Sequence, residues 1–126
     1  MDEATPRRGP PPNMMPIDFE TELASLPLRG ALPAGLRGTL VRNGPNPVVP
    51  DPRAHWFTGD GMLHAFHIDE GRVGYRNRWV RTGQWALARR TGCNPTVGLK
   101  IELPEGEAPI ADDGAANTNV IGHAGR

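Results

Sequence analysis

The chain has 126 residues and a formal net charge of zero, 14 Lys+Arg balancing 14 Asp+Glu, which leaves room for one ordinary domain and gives no electrostatic case for nucleic-acid binding. Sixteen glycines and 14 prolines interrupt regular structure too often for a helical bundle and favour turns and short strands. A lone cysteine, Cys93, excludes an internal disulfide and a Cys-rich zinc site, and no apolar run approaches the ~20 residues of a membrane span.

Met1 to Pro16 reads as a disordered arm, rich in proline and without periodicity, with Met14 and Met15 as alternative starts. Arg7 and Arg8 are followed by Pro10, Pro11 and Pro12 where a signal peptide needs its apolar stretch, so the expected location is cytoplasmic. Pro16 to Leu26 offers Ile17, Phe19, Leu23 and Leu26 in a mixed pattern, and Leu28 to Leu36 is a turn-rich connector. Arg37 to Arg42 reads as a strand that Asn43-Gly44-Pro45-Asn46-Pro47 should end, because proline cannot donate to a ladder. From Asn43 to Asp60 the expectation is irregular backbone anchored by a buried Trp56 or Phe57, with Asp60 bonded to nearby backbone N–H groups.

Met62 to Ile68 and Arg72 to Arg81 form the clearest unit. Asp69-Glu70-Gly71 reads as a three-residue hairpin loop with Gly71 at a left-handed bulge position. Val73, Tyr75 and Trp79 share one face of the second strand, and Arg72, Arg76 and Arg78 the other. Gln84 to Arg90 fits a short helix or a strand. Thr91 to Gly114 reads as loop, and Asn117 to Arg126 as the beginning of a strand. Charge is segregated. Gly71 to Ile101 carries seven bases and no acid, whereas Glu102 to Asp113 carries five acids and no base, the pattern of two solvated faces or neighbouring loops.

Four histidines, His55, His64, His67 and His123, could in number hold a metal. On an extended strand, however, His64 and His67 point to opposite faces, and no His-x-His or His-Glu-x-x-His motif occurs. Asp60, the lone acid of Thr58-Gly59-Asp60-Gly61, cannot make a calcium loop. Ser25 lacks a nucleophile elbow, and Cys93 has no His or Asp close by in sequence. The residues themselves assemble no complete active site.

Leu32 to Pro47 (LPAGLRGTLVRNGPNP) resembles the N-terminal signature of the carotenoid cleavage oxygenase family, which includes the lignostilbene dioxygenases. His55 to Phe66 (HWFTGDGMLHAF) is similar to its second signature, Tyr75 to Thr82 continues it, and Asn117 to Val120 with His123 resembles the next family strand. The resemblance covers roughly Leu26 to Arg126, four blocks in order. It implies an all-β fold, a seven-bladed β-propeller of which this chain would hold about two to three blades at 40–45 residues each. Residues 17–126 would then be the N-terminal part of the oxygenase domain, truncated at its C-terminus.

The resemblance also implies one non-haem Fe(II) held by four histidines, with three glutamates outside them. The implied reaction uses O₂ to split a C=C bond of a carotenoid, apocarotenoid or stilbene. The family's first ligand histidine lies in a His-Pro block beyond the Asn-Thr-Asn-Val stretch, and this chain has no such block. His55, His64, His67 and His123 therefore match non-ligand positions. No catalytic, cofactor-binding or metal residue is assigned, and Fe(2+) and an apolar polyene or stilbene with O₂ are expected of the full-length parent alone. No nucleic acid and no transmembrane segment are expected, and peripheral membrane contact stays open. Two alternatives remain at this point: a non-catalytic β module binding a partner through its Arg-rich strand, and an autonomous His-metal site.

Overall fold

The computed structural model describes residues 15–110 and 114–125. Of the arm expected over Met1 to Pro16 only Met15 and Pro16 are among the described residues, and the acids Asp112 and Asp113 also lie outside them. A four-stranded antiparallel sheet dominates: β1 (Glu22–Leu23), β2 (Gly38–Pro45), β3 (Gly61–Asp69) and β4 (Arg72–Trp79), in the order β1-β4-β3-β2. Helix α1 (Gly83–Thr91) follows, and β5 (Thr96–Val97) pairs with β6 (Lys100–Ile101).

The hairpin forms as expected, with two corrections: β4 ends at Trp79, short of Arg81, and the loop is shorter by one residue. Asp69 pairs with Arg72, so the loop is the two residues Glu70 and Gly71, with φ of 46° and 75°. That is the pair of positive φ values that a two-residue type I′ turn requires, and it leaves no bulge. Strand β2 also runs three residues beyond its expected end. Pro45 pairs with Gly61, and Asn46 N–H donates to the Asp60 carbonyl at 2.7 Å. Because ladder bonds alternate, the N–H that Pro45 lacks falls on the outward side of this edge strand, where no partner is lost.

One sheet face carries Met62, His64, Phe66 and Ile68 opposite Trp79, Asn77, Tyr75 and Val73. Met62, Val73 and Trp79 are buried there, as the alternation in β4 predicts. Thr82 caps α1 by accepting the Trp85 N–H at 3.1 Å, and Gly92, at φ 70°, ends it with an N–H to the Ala88 carbonyl. Leu87 and Ala88 complete the buried apolar set.

Two further expectations need revision. Thr91 to Gly114 is not loop throughout, since β5 and β6 lie within it. Among the described residues 114–125 there is no strand. The Asn117 stretch is fastened by side-chain amides in place of a ladder: Asn43 Nδ2 donates to the carbonyls of Ala116 (2.9 Å) and Asn119 (3.2 Å), and Gly61 N–H donates to the Ala115 carbonyl at 2.7 Å.

Candidate functional site

The loop from Asn46 to Asp60 closes over the end of the hairpin around a buried carboxylate. Asp60 Oδ2 accepts the Val48 N–H at 2.9 Å, and Oδ1 accepts Gln84 Nε2 at 3.3 Å. Burial pushes its carboxyl above the ordinary range, against the lowering effect of the Val48 N–H and of Gln84. The expected bonding of Asp60 to backbone is therefore observed. Asn46, also buried, fixes the N-terminal segment with a two-way amide bond: its Oδ1 accepts the Ile17 N–H and its Nδ2 donates to the Ile17 carbonyl, both at 2.7 Å.

The anchor of this loop is Trp79, not Trp56 or Phe57. Its Nε1 donates to the Asn46 carbonyl at 2.8 Å from a buried position. Trp56 and Phe57 sit on a 3-10 turn (Trp56–Thr58) and are 53% and 57% exposed. The expectation of a buried ring there fails because polar bonds already hold the turn. Thr58 N–H and Oγ1 donate to the His55 carbonyl, Gln84 Nε2 donates to the Thr58 carbonyl at 2.8 Å, and Asn117 Nδ2 donates to the carbonyls of Phe57 (2.7 Å) and Gly59 (2.8 Å).

The histidines do not converge. His55 Nδ1 accepts the Phe57 N–H on the aromatic turn. His64 and His67 lie on opposite faces of β3, as their spacing predicts, His64 Nδ1 2.8 Å from the Tyr75 hydroxyl and His67 Nδ1 3.0 Å from Thr39 Oγ1. His123 is exposed at the far end of the chain. Among the described residues no three His, Cys, Asp or Glu side chains form a group that could hold a metal. This donor set therefore does not fit an iron centre. Cys93 and Ser25 are exposed.

A shallow groove of about 440 Å³ runs along the sheet face that carries His64, between Leu23, Leu26, Arg42, Phe66 and Tyr75. Burial, and after it the Arg42 guanidinium, holds His64 below its ordinary pKa. The opposite face carries Arg72, Arg76 and Arg78 of β4, and the last two are engaged internally. Arg76 and Arg78 pair with Glu22, and Arg81 pairs with Glu20 at 2.8 Å and lies 4.1 Å over the Trp85 ring. Burial pushes Glu20 up, but the Trp79 N–H and Arg81 outweigh it and hold the carboxyl below its usual range. Arg90 pairs with Glu107, joining the basic segment to the acidic one as the charge pattern suggests. With Arg76 and Arg78 spent on Glu22, the strand offers no cluster of free guanidinium groups to support a partner-binding Arg face.

Sequence reading missed the amide nodes. Asn77, 1% exposed, accepts the Thr21 N–H at 2.7 Å and donates to the Phe19 carbonyl at 2.9 Å. Its position on the Val73–Trp79 face was the available signal, a polar residue in an otherwise apolar register.

Comparison with known proteins adds four findings. The family model RPE65, described as retinal pigment epithelial membrane protein, matches residues 14–126. A carotenoid cleavage oxygenase of Mycobacterium tuberculosis is 40% identical over 116 residues, covering 90% of this chain and 22% of that protein. An isoeugenol monooxygenase of Pseudomonas nitroreducens is 33% identical over 116 residues, 90% of this chain and 24% of that protein. Among solved structures, the lignostilbene dioxygenase of Pseudomonas brassicacearum superposes with a TM-score of 0.62 at 34% identity, over 66% of this chain and 18% of that one. The chain thus spans about a fifth to a quarter of the length of the curated relatives it matches.

Proposed function

The chain belongs to the RPE65 family, the carotenoid cleavage oxygenases, and from that premise we propose that it is the N-terminal part of an oxygenase that splits C=C bonds of carotenoids, apocarotenoids or stilbenes with O₂. The observation that carries this reading is the co-occurrence of a family match over residues 14–126 with a structural match to a lignostilbene dioxygenase. The relatives are named for carotenoid, isoeugenol and lignostilbene substrates. Their shared chemistry is a C=C bond in conjugation with an aromatic ring or a polyene.

In this reading the described residues supply scaffold. The sheet β1-β4-β3-β2 is one antiparallel unit of a propeller of seven, and loop 46–60 closes one end of it. Ferrous iron is the proposed cofactor of the whole protein, with its ligands supplied by polypeptide other than the residues described here, since these do not fit a metal. The absence of a helix long and apolar enough to cross a membrane, among the described residues, is compatible with peripheral contact of the whole protein with a lipid phase that holds such substrates.

The test is to express residues 1–126 and the protein read from the open frame beyond Arg126, load both anaerobically with ferrous iron, and add O₂ with a stilbene or an apocarotenoid. Carbonyl products are expected from the longer protein and not from residues 1–126. A longer protein that binds no iron and releases no carbonyl product overturns the reading.

A further inference from the structure

Segment 17–26, which contains β1, is held to the body much as a bound peptide is. Asn46 exchanges two bonds with the Ile17 backbone. Asn77 takes the Thr21 N–H on Oδ1 and gives Nδ2 to the Phe19 carbonyl, and its own N–H donates to the Thr21 carbonyl at 3.1 Å. Two buried amides therefore stand in for strand backbone where β1 itself pairs over Glu22 and Leu23 alone. Leu26 N–H closes the far end on the Val73 carbonyl at 2.7 Å. The carboxylates add charge: Glu20 accepts the Trp79 N–H and pairs with Arg81, and Glu22 pairs with Arg76 and Arg78, partners 54 to 61 residues away.

Residues 27–37 join this segment to β2 and make few bonds of their own. They are exposed apart from the half-buried Leu32. Among the described residues their backbone bond is internal, Leu36 N–H to the Pro33 carbonyl, and Arg37 alone ties them to the body, through Asp69 and Glu70. Leu26 bonds Val73, and Gly38 pairs with Ile68, the partner of Val73. The two ends of the connector thus lie at one level of the sheet, three strand spacings or roughly 14 Å apart. A connector of this length reaches about 36 Å when extended. That slack is enough to deliver the segment to its own body or to a neighbouring one, with every contact above unchanged.

The connector itself separates the two deliveries. Leu28 and Leu36, each 43% exposed on it, stay in water in a single chain, whereas two connectors crossing between copies bury them against each other. We infer that segment 17–26 is exchanged between two copies of this chain, the Asn46, Asn77 and arginines of each body receiving the backbone and glutamates of the other's segment. The occupant is fixed by complementary charge and by backbone bonding, and a second copy supplies both. The inference does not draw on the oxygenase reading.

The test uses the protein read through the frame beyond Arg126, where the faces that residues 1–126 leave open add no association of their own. One copy carries Glu20→Arg and Glu22→Arg, and the other carries Arg76→Glu, Arg78→Glu and Arg81→Glu. In either copy alone the segment meets like charge on its own body. In a mixture refolded together, the arginine segment of the first meets the glutamates of the second, and the second's segment meets the first's arginines. Both sites are matched only by exchange. Native mass spectrometry should show the heterodimer in about ten-fold excess over either homodimer, and the wild type should be dimeric by light scattering.

A disulfide trap reads the exchange directly. Leu23 pairs with Tyr75 in the β1–β4 register, a cross-strand separation that a disulfide spans. Leu23→Cys with Tyr75→Cys, on a Cys93→Ser background, should give a covalent dimer on oxidation, since each bond then joins two copies. An internally bridged monomer, a wild type that stays monomeric, or a refolded mixture in which the heterodimer does not exceed the homodimers would each overturn the inference. Should the charge variants fail to refold, the disulfide trap decides it alone. Failure of the oxygenase reading looks different: the exchanged dimer forms, and it releases no carbonyl product.

Discussion

Gly61 is held to glycine by space, since its φ is not positive and yet a Cβ there would stand 2.1 Å from the Ala116 carbonyl oxygen. The same residue donates its N–H to the Ala115 carbonyl, so β3 and the Asn117 stretch touch backbone to backbone. Gly61→Ala must push that stretch away, and the expected loss is about 1–3 kcal/mol, the usual penalty for overpacking. Hydrogen exchange should show the Gly61 amide losing protection together with the turn that Asn117 pins. Its neighbour Asp60 predicts a pH effect. Burial raises its folded pKa, so the folded state holds the proton more tightly than the unfolded chain, whose carboxyl titrates near ~3.9. Stability from this group is therefore present at acid pH and is lost as pH rises from about 4 through the raised value. Asp60→Asn cannot ionise, so the stability of the wild type relative to Asp60→Asn should fall in urea titrations as the pH rises from about 4. A pH-independent difference would show that the carboxylate is not the source.

At the scale of elements, the hairpin is where sequence speaks most clearly, because strict alternation and a placed glycine act over neighbouring residues. Even so, the loop length was misjudged by one residue. A glutamate is an unusual choice for a left-handed position, so Glu70 gave no sign that it takes φ 46°. Glu70→Asn should stabilise the hairpin by about 1 kcal/mol, a share of the left-handed penalty that asparagine largely escapes. The exposed pair of Glu70 with Arg37 is lost in that variant, but Arg37 keeps Asp69 at 3.2 Å. A thermal melt of the two proteins measures the balance, and a lower melting temperature would place the ion pair above the turn. What stayed illegible was long-range and polar. Asn46, Asn77 and Asn117 bond backbone 29 to 60 residues away, and no local period records such a partner. Trp56 and Phe57 misled for the opposite reason, since an aromatic pair in a proline-rich loop reads as core when only hydrophobicity is weighed. The histidine geometry on β3, by contrast, followed from strand parity alone.

Across the whole molecule, apolar burial is thin relative to what stays outside. Among the described residues the buried hydrophobic side chains are Met62, Val73, Trp79, Leu87 and Ala88. Phe19, Leu40, Trp56, Phe57, Leu99 and Ile121 are each more than half exposed. Among the described residues, strand β2 also presents an unpaired edge, since its neighbour in the sheet is β3 alone. A chain that spans 22% of a matched relative and belongs to an oxygenase scaffold should have such faces covered by further polypeptide, strand against strand and sheet against sheet. The expected consequence is measurable without any activity assay. Residues 1–126 alone should bind 8-anilinonaphthalene-1-sulfonate strongly, unfold over a broad denaturant range and self-associate with concentration. The protein read through the frame beyond Arg126 should bind little dye and unfold sharply at higher denaturant, because the transition steepens with the surface buried. A sharp, dye-free, monomeric transition for residues 1–126 would mean that these exposed side chains need no cover. The sheet would then be a finished domain, and the scaffold role proposed for it would be wrong.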